Sequence, residues 1–162
     1  MKRILTALLA LTCLLALAAC GNKGGESNES IPDLNKYYED FMSTLGADNE
    51  PAMMDLEGEM IAGYYPGLEG YETNQAVLKV VAITMVPFEF ALVELKNESD
   101  AEAVAAIFQE RIDSQVNGGA FYPASIEAWQ KASVITHGRV VALISADASQ
   151  DAAMEAFNNL FA

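Results

Sequence analysis

Leu34, Tyr37, Tyr38, Phe41, Met42 and Leu45 recur at spacings of three and four, one apolar stripe of a helix. Ser30 and Asp33 have capping-box spacing before the stripe, and Gly46 follows as a C-terminal stop, so a helix is predicted over 30–45. Residues 53–65 form a weaker helical stretch, broken near Gly58, and Tyr65-Pro66-Gly67 reads as a turn. Residues 76–84 are β-branched and almost continuously apolar, the pattern of a central strand. Pro87 then marks a bend, and 88–95 is the return strand. Ser99-Asp100-Ala101-Glu102 is a second capping box. It opens a helix that runs to Asn117 and stops at Gly118-Gly119. A short helix over 123–131 carries Trp129. Strands over 133–136 and 139–145 follow, joined by His137-Gly138 as a two-residue hairpin loop. A last helix over 147–161 places Met154, Phe157, Leu160 and Phe161 on one side. Two hairpins, each followed by helix, predict an α+β domain: one mainly antiparallel four-stranded sheet with helices packed on one face.

The first thirty residues follow different rules. Met1-Lys2-Arg3 is a short basic segment, and 4–19 is an apolar run interrupted only by Thr6 and Thr12. The run is shorter than the roughly 20 residues that cross a bilayer as a helix. It ends in small residues, as a signal peptide does at its cleavage site. Residues 21–30 are rich in Gly, Ser and Asn and read as a flexible tether of about 15–20 Å. The division expected is therefore 1–19 signal peptide, 20–30 Cys20 and tether, and 31–162 one folded domain.

The chain has 162 residues with 9 Lys and Arg against 23 Asp and Glu, a formal net charge of -14. That length suits one domain with a real core. The charge argues against a nucleic-acid partner, because no basic stripe exists to displace counterions. Of the two cysteines, Cys13 lies inside the leader, so a mature chain would hold no thiol other than Cys20. Disulfide, thiolate-metal and cysteine-nucleophile chemistry is then not expected of the domain.

Leu17-Ala18-Ala19-Cys20 resembles the lipobox of bacterial lipoproteins. The resemblance implies diacylglycerol on the Cys20 thiol, cleavage between Ala19 and Cys20, and a new amine open to acylation. Two or three acyl chains suffice for stable anchoring, whereas one is marginal. Further motifs join it: Tyr64-Tyr65-Pro66-Gly67-Leu68, Phe90-Ala91-Leu92-Val93-Glu94-Leu95, the helix segment 106–115, and the terminal Phe157-Asn158-Asn159-Leu160-Phe161. With the acidic first helix, this set is similar to a family of small Gram-positive lipoproteins carrying a single domain of unknown function, over residues 31–162. That resemblance implies a location at the cell membrane, facing the extracytoplasmic side through an N-terminal lipid. It brings no catalytic residues.

Little in the domain points to catalysis. His137 is the only imidazole and falls at a hairpin tip, so a turn residue is expected rather than a base or metal ligand. The acidic groups Asp55, Glu57 and Glu59, with Asp48 and Glu50, read as solvated surface. They show no EF-hand spacing. Met42 continues a core stripe, and no histidine joins Met53, Met54 and Met60, so packing is expected rather than copper handling. No cofactor, metal or catalytic residue is assigned.

One pattern stands apart. Stepping 100° per residue from Val104, Ala101, Ile107, Phe108 and Ile112 span an apolar arc from about -60° to +80°. Arg111 falls at about -20° and Gln115 at about +20°, inside it. A charge on a core-facing stripe must be paired, reach out at the helix end, or line a pocket. Glu89 or Glu94 of the neighbouring strand would supply the pair. Alternatively Arg111 and Gln115, with Tyr122 and Trp129 from the aromatic segment beyond Gly119, would hold a carboxylate, phosphate or sugar-like group. The function expected is a non-enzymatic, membrane-anchored binding domain for a small ligand or envelope partner. The alternative is a structural or regulatory accessory lipoprotein without a ligand pocket.

Overall fold

A computed structural model describes residues 31–83 and 87–162. The leader, Cys20 and tether lie outside these residues, as does Thr84, the expected end of the first long strand.

The sheet has five strands, not four. They are β1 (Met53–Asp55), β2 (Thr73–Val81), β3 (Glu89–Leu95), β4 (Ser133–His137) and β5 (Val140–Ser145). All neighbours are antiparallel, in the order β1-β2-β3-β5-β4. The helices are α1 (Leu34–Thr44), α2 (Glu59–Tyr64), α3 (Ala101–Ser114), α4 (Pro123–Lys131) and α5 (Gln150–Asn158).

Helices cover both faces of the sheet, which corrects the one-faced arrangement. Every residue of β3 and β5 is buried. Phe90, Leu92, Ala142 and Ile144 turn toward α1 and α5, where they meet Tyr37, Phe41, Ala153 and Phe157. The alternating Ala91, Val93, Val141 and Leu143 turn toward α3 and α4, where they meet Val104, Phe108, Ile112 and Trp129. A strand buried on two faces has no need of polar alternation, and this is why 90–93 of β3 and 140–144 of β5 read as unbroken apolar runs.

β1 replaces the first part of the helix expected over 53–65. Met53, Met54 and Asp55 pair with Val81, Val80 and Lys79, and the Asp55 and Lys79 side chains form a cross-strand ion pair. Pairing to a sheet edge overrides the helical tendency of Met and Leu. Gly58, at φ 54°, turns the chain into the short α2.

At the start of the domain Asp33 itself caps α1, its side chain accepting the Lys36 N–H at 2.9 Å. Gln75 of β2 ties this point to the sheet. Its Oε1 accepts the Leu34 N–H at 2.9 Å, and its Nε2 donates to the Pro32 carbonyl at 3.1 Å and to Glu94 Oε2 at 2.8 Å. Glu94 also accepts from Asn74 Nδ2 and from Arg139 Nε and Nη2.

The second hairpin loop is Gly138-Arg139, not His137-Gly138, because His137 pairs with Val140 as the last residue of β4. Gly138 takes the left-handed position at φ 55°. His137 stacks on Phe161 at 4.3 Å between ring centres and meets Asn158 Oδ1 at 2.9 Å, so it packs the C-terminus onto the sheet edge.

Candidate functional site

Arg111 sits in the last turn of α3 and faces the sheet, as its place on the apolar arc requires. It meets Glu89, the first residue of β3. Arg111 Nε donates to Glu89 Oε1 at 2.9 Å and Nη2 donates to Oε2 at 2.8 Å. The Tyr65 hydroxyl donates to the same Oε1 at 2.7 Å. Glu89 is 3% exposed and Tyr65 is fully buried, while the Arg111 side chain keeps 16% of its surface. The guanidinium carbon lies 4.6 Å from the ring centre of Tyr64 and 5.2 Å from that of Trp129. An arginine fork on a carboxylate with aromatic rings alongside is a strong, direction-fixing arrangement in a poorly solvated place.

Protonation follows from that setting. Burial pushes the Tyr65 hydroxyl well above its ordinary pKa, and the Glu89 carboxylate adds to it, so Tyr65 is a fixed donor. Burial opposes the charge on Arg111, but Glu89 outweighs it and raises the pKa further.

Beyond Ser114 the chain makes one wider helical turn over Gln115–Gly119, in which Gly118 takes φ 137°. The Ala120 N–H returns to the Gln115 carbonyl at 2.9 Å. This turn brings the Gln115 amide over Gly119, so closely that a Cβ on Gly119 would lie 2.6 Å from Gln115 Nε2. The chain then passes through Phe121 and Tyr122 into α4, where Pro123 occupies the first turn and needs no hydrogen-bond donor.

The result is a cavity of about 340 Å³ lined by Arg111, Gln115, Tyr122, Trp129, Tyr64 and Glu89, among others. The four residues singled out from the sequence as ligand-facing therefore line one cavity. Both halves of the alternative hold together: Arg111 is paired with Glu89, and it also borders open space. Phe121 is 85% exposed and Tyr122 58% exposed at the rim. Tyr64, Tyr65 and the approach of Gln115 to Gly119 were not legible. The turn signal at Tyr65-Pro66-Gly67 marks the segment but not its direction.

A larger groove of about 730 Å³ opens at the same end of the sheet on the opposite face, between the end of α1 and the segment before α5. Leu45, Pro51, Val81 and Ala148 make it mainly apolar. Asn49 and Asp147 line it as well, but it has no cationic residue, whereas the first cavity brings an arginine, a carboxylate and an amide together, so the Arg111 cavity is the better candidate. Among the described residues no three His, Cys, Asp or Glu side chains gather closely enough to hold a metal ion. Among those residues, too, no helix is long and apolar enough to cross a membrane.

The model of a family described as a domain of unknown function, DUF4358, matches residues 46–146. The chain belongs to this family. The DUF4358 region holds all five strands, α2 to α4, and every cavity residue named above, whereas α1 and α5 fall outside it. No curated protein and no solved structure is significantly similar to the chain.

Proposed function

We propose that this chain is a membrane-anchored, extracytoplasmic lipoprotein whose folded domain binds a small ligand at the Arg111 cavity without acting on it chemically. The observation that carries the binding half is the meeting of Arg111, Gln115, Tyr122 and Trp129 around one cavity of about 340 Å³, within the volume range of small-molecule sites. The anchoring half rests on the sequence alone: the basic start, the short apolar run and Leu-Ala-Ala before Cys20.

The complete fork between Arg111 and Glu89 favours a second reading. A guanidinium whose fork is already filled from within can serve the fold alone, and the protein would then be an accessory lipoprotein with no ligand.

Two experiments test these readings. Mass spectrometry of small molecules co-purifying with the full chain should show one species that is lost from Tyr122→Ala and Gln115→Ala while both variants unfold near the wild-type temperature. Equal recovery from all three proteins sinks the cavity reading. Metabolic labelling with a fatty-acid analogue should mark the wild type and leave Cys20→Ala unlabelled; equal label in both refutes lipidation at Cys20.

A further inference from the structure

We infer that the Arg111 cavity selects an uncharged, hydroxyl-rich ring compound, a short neutral saccharide, over an anion. The inference rests on the ligand-binding reading above and narrows its class.

Charge is the first argument. Arg111 is the sole cationic residue among those lining the cavity, and Glu89 lines it too. The carboxylate already holds Arg111 Nε and Nη2 at 2.9 and 2.8 Å. A carboxylate or phosphate entering here would compete with Glu89 for the same fork and sit beside its negative charge. It would also approach a chain of net charge -14, which repels anions at long range. A cation fares no better, since Arg111 neutralises Glu89.

Hydrogen-bonding capacity is the second. Glu89 fixes one edge of the guanidinium, and the second Nη, outside that fork, keeps its N–H groups. The Gln115 amide offers a donor and an acceptor, the Tyr122 hydroxyl offers both, and Glu89 accepts. Sugar hydroxyls donate and accept at once, so they match a wall of mixed and mostly planar groups. A pure acceptor such as phosphate does not.

Shape is the third. Tyr64, Phe88, Trp129, Phe121 and Tyr122 bring five aromatic rings to one small space, with Phe121 and Tyr122 turned outward. Flat rings pack against the C–H faces of a pyranose and leave its hydroxyls to the polar wall. The volume admits a short saccharide and no folded partner.

Trp129 is the only tryptophan of the chain, so its emission reports on this cavity directly. The full chain in detergent is titrated with neutral oligosaccharides of glucose and of N-acetylglucosamine, and in parallel with glucuronate and glucose phosphate. A saturable change in Trp129 emission is expected with a neutral sugar. It should weaken at least tenfold in Tyr122→Ala and in Gln115→Ala, and hold steady as salt rises from low to high ionic strength. Saturation by the anionic sugars alone overturns the neutral class and leaves the ligand-binding reading standing. No response to any sugar also overturns it, and the co-purifying species then decides the broader reading by itself. A response that survives both substitutions places the sugar elsewhere and overturns the assignment to this cavity.

Discussion

Glu89 and Arg111 close a two-bonded fork between the first residue of the central strand β3 and the last turn of α3. The pair is buried on the carboxylate side and opens toward the cavity on the guanidinium side. One interaction therefore fixes α3 on the sheet and sets the wall of the candidate site.

Arg111→Ala leaves Glu89 buried with only the Tyr65 hydroxyl as a named partner. Removing one member of a buried ion pair costs about 3–5 kcal/mol, and that loss is expected at neutral pH by chemical denaturation. A loss under about 1 kcal/mol would show that water, not protein, solvates Glu89.

Ser145 lies opposite Glu89 in the β3–β5 register. Its Oγ is buried without a hydrogen-bond partner among the described residues. Ser145→Ala removes an unsatisfied polar group, and stability is expected to hold or rise by up to about 1 kcal/mol. A clear loss by thermal unfolding would reveal a partner for the hydroxyl.

Glu94 supplies a pH dependence. Burial alone would raise its pKa, but donors from Gln75, Asn74 and Arg139 outweigh burial and hold it below the ordinary carboxylate value. The unfolded chain then binds a proton before the folded one does. The contribution of Glu94 is present above the ordinary glutamate pKa and is lost as pH falls through its lowered folded value. Unfolding curves across the acid range should show a shallower decline for Glu94→Gln than for the wild type. Parallel declines would remove Glu94 from the acid response.

Gly119→Ala tests the cavity wall apart from the core. The new Cβ would meet Gln115 Nε2 at 2.6 Å and Cδ at 3.0 Å, the far end of a flexible side chain, and the Ser114 carbonyl at 3.0 Å. The amide must swing aside. Unfolding free energy is expected to change by about 1 kcal/mol or less, while any ligand response of Trp129 changes. An unaltered response would show that the Gln115 amide plays no part in binding.

How much of this was legible in the sequence depends on how local each signal is. The stripe from Leu34 to Met42 repeats within one helix and announced α1. Arg111 and Gln115 stood out because a charge and an amide interrupted an apolar arc that needs only a few turns to define. Glu89 and Glu94 were both offered as partners because both lie in the return strand 88–95, and only the register of α3 on β3 decides for Glu89. β1 was hidden, since three residues on a sheet edge have no periodicity of their own and owe their conformation to Val80 and Val81. The two-sided cover was foreshadowed by Val93 and Val141 being as apolar as their neighbours, but a continuous run does not say which helices supply the second face. The wide turn over Gln115–Gly119 depends on a backbone path that Gly118 permits and the sequence does not dictate.

The clamp at Gln75 has a mechanical meaning. Whatever precedes Ile31 joins the domain at a point where one side chain grips the backbone of Pro32 and Leu34 and is itself held by Glu94 of β3. A pull from the N-terminus would load β2 and β3, inside the sheet, before it could peel α1 from its face. Under the N-terminal anchoring proposed above, the hydrogen bonds of Gln75 would act as a strain relief where the cable meets its housing.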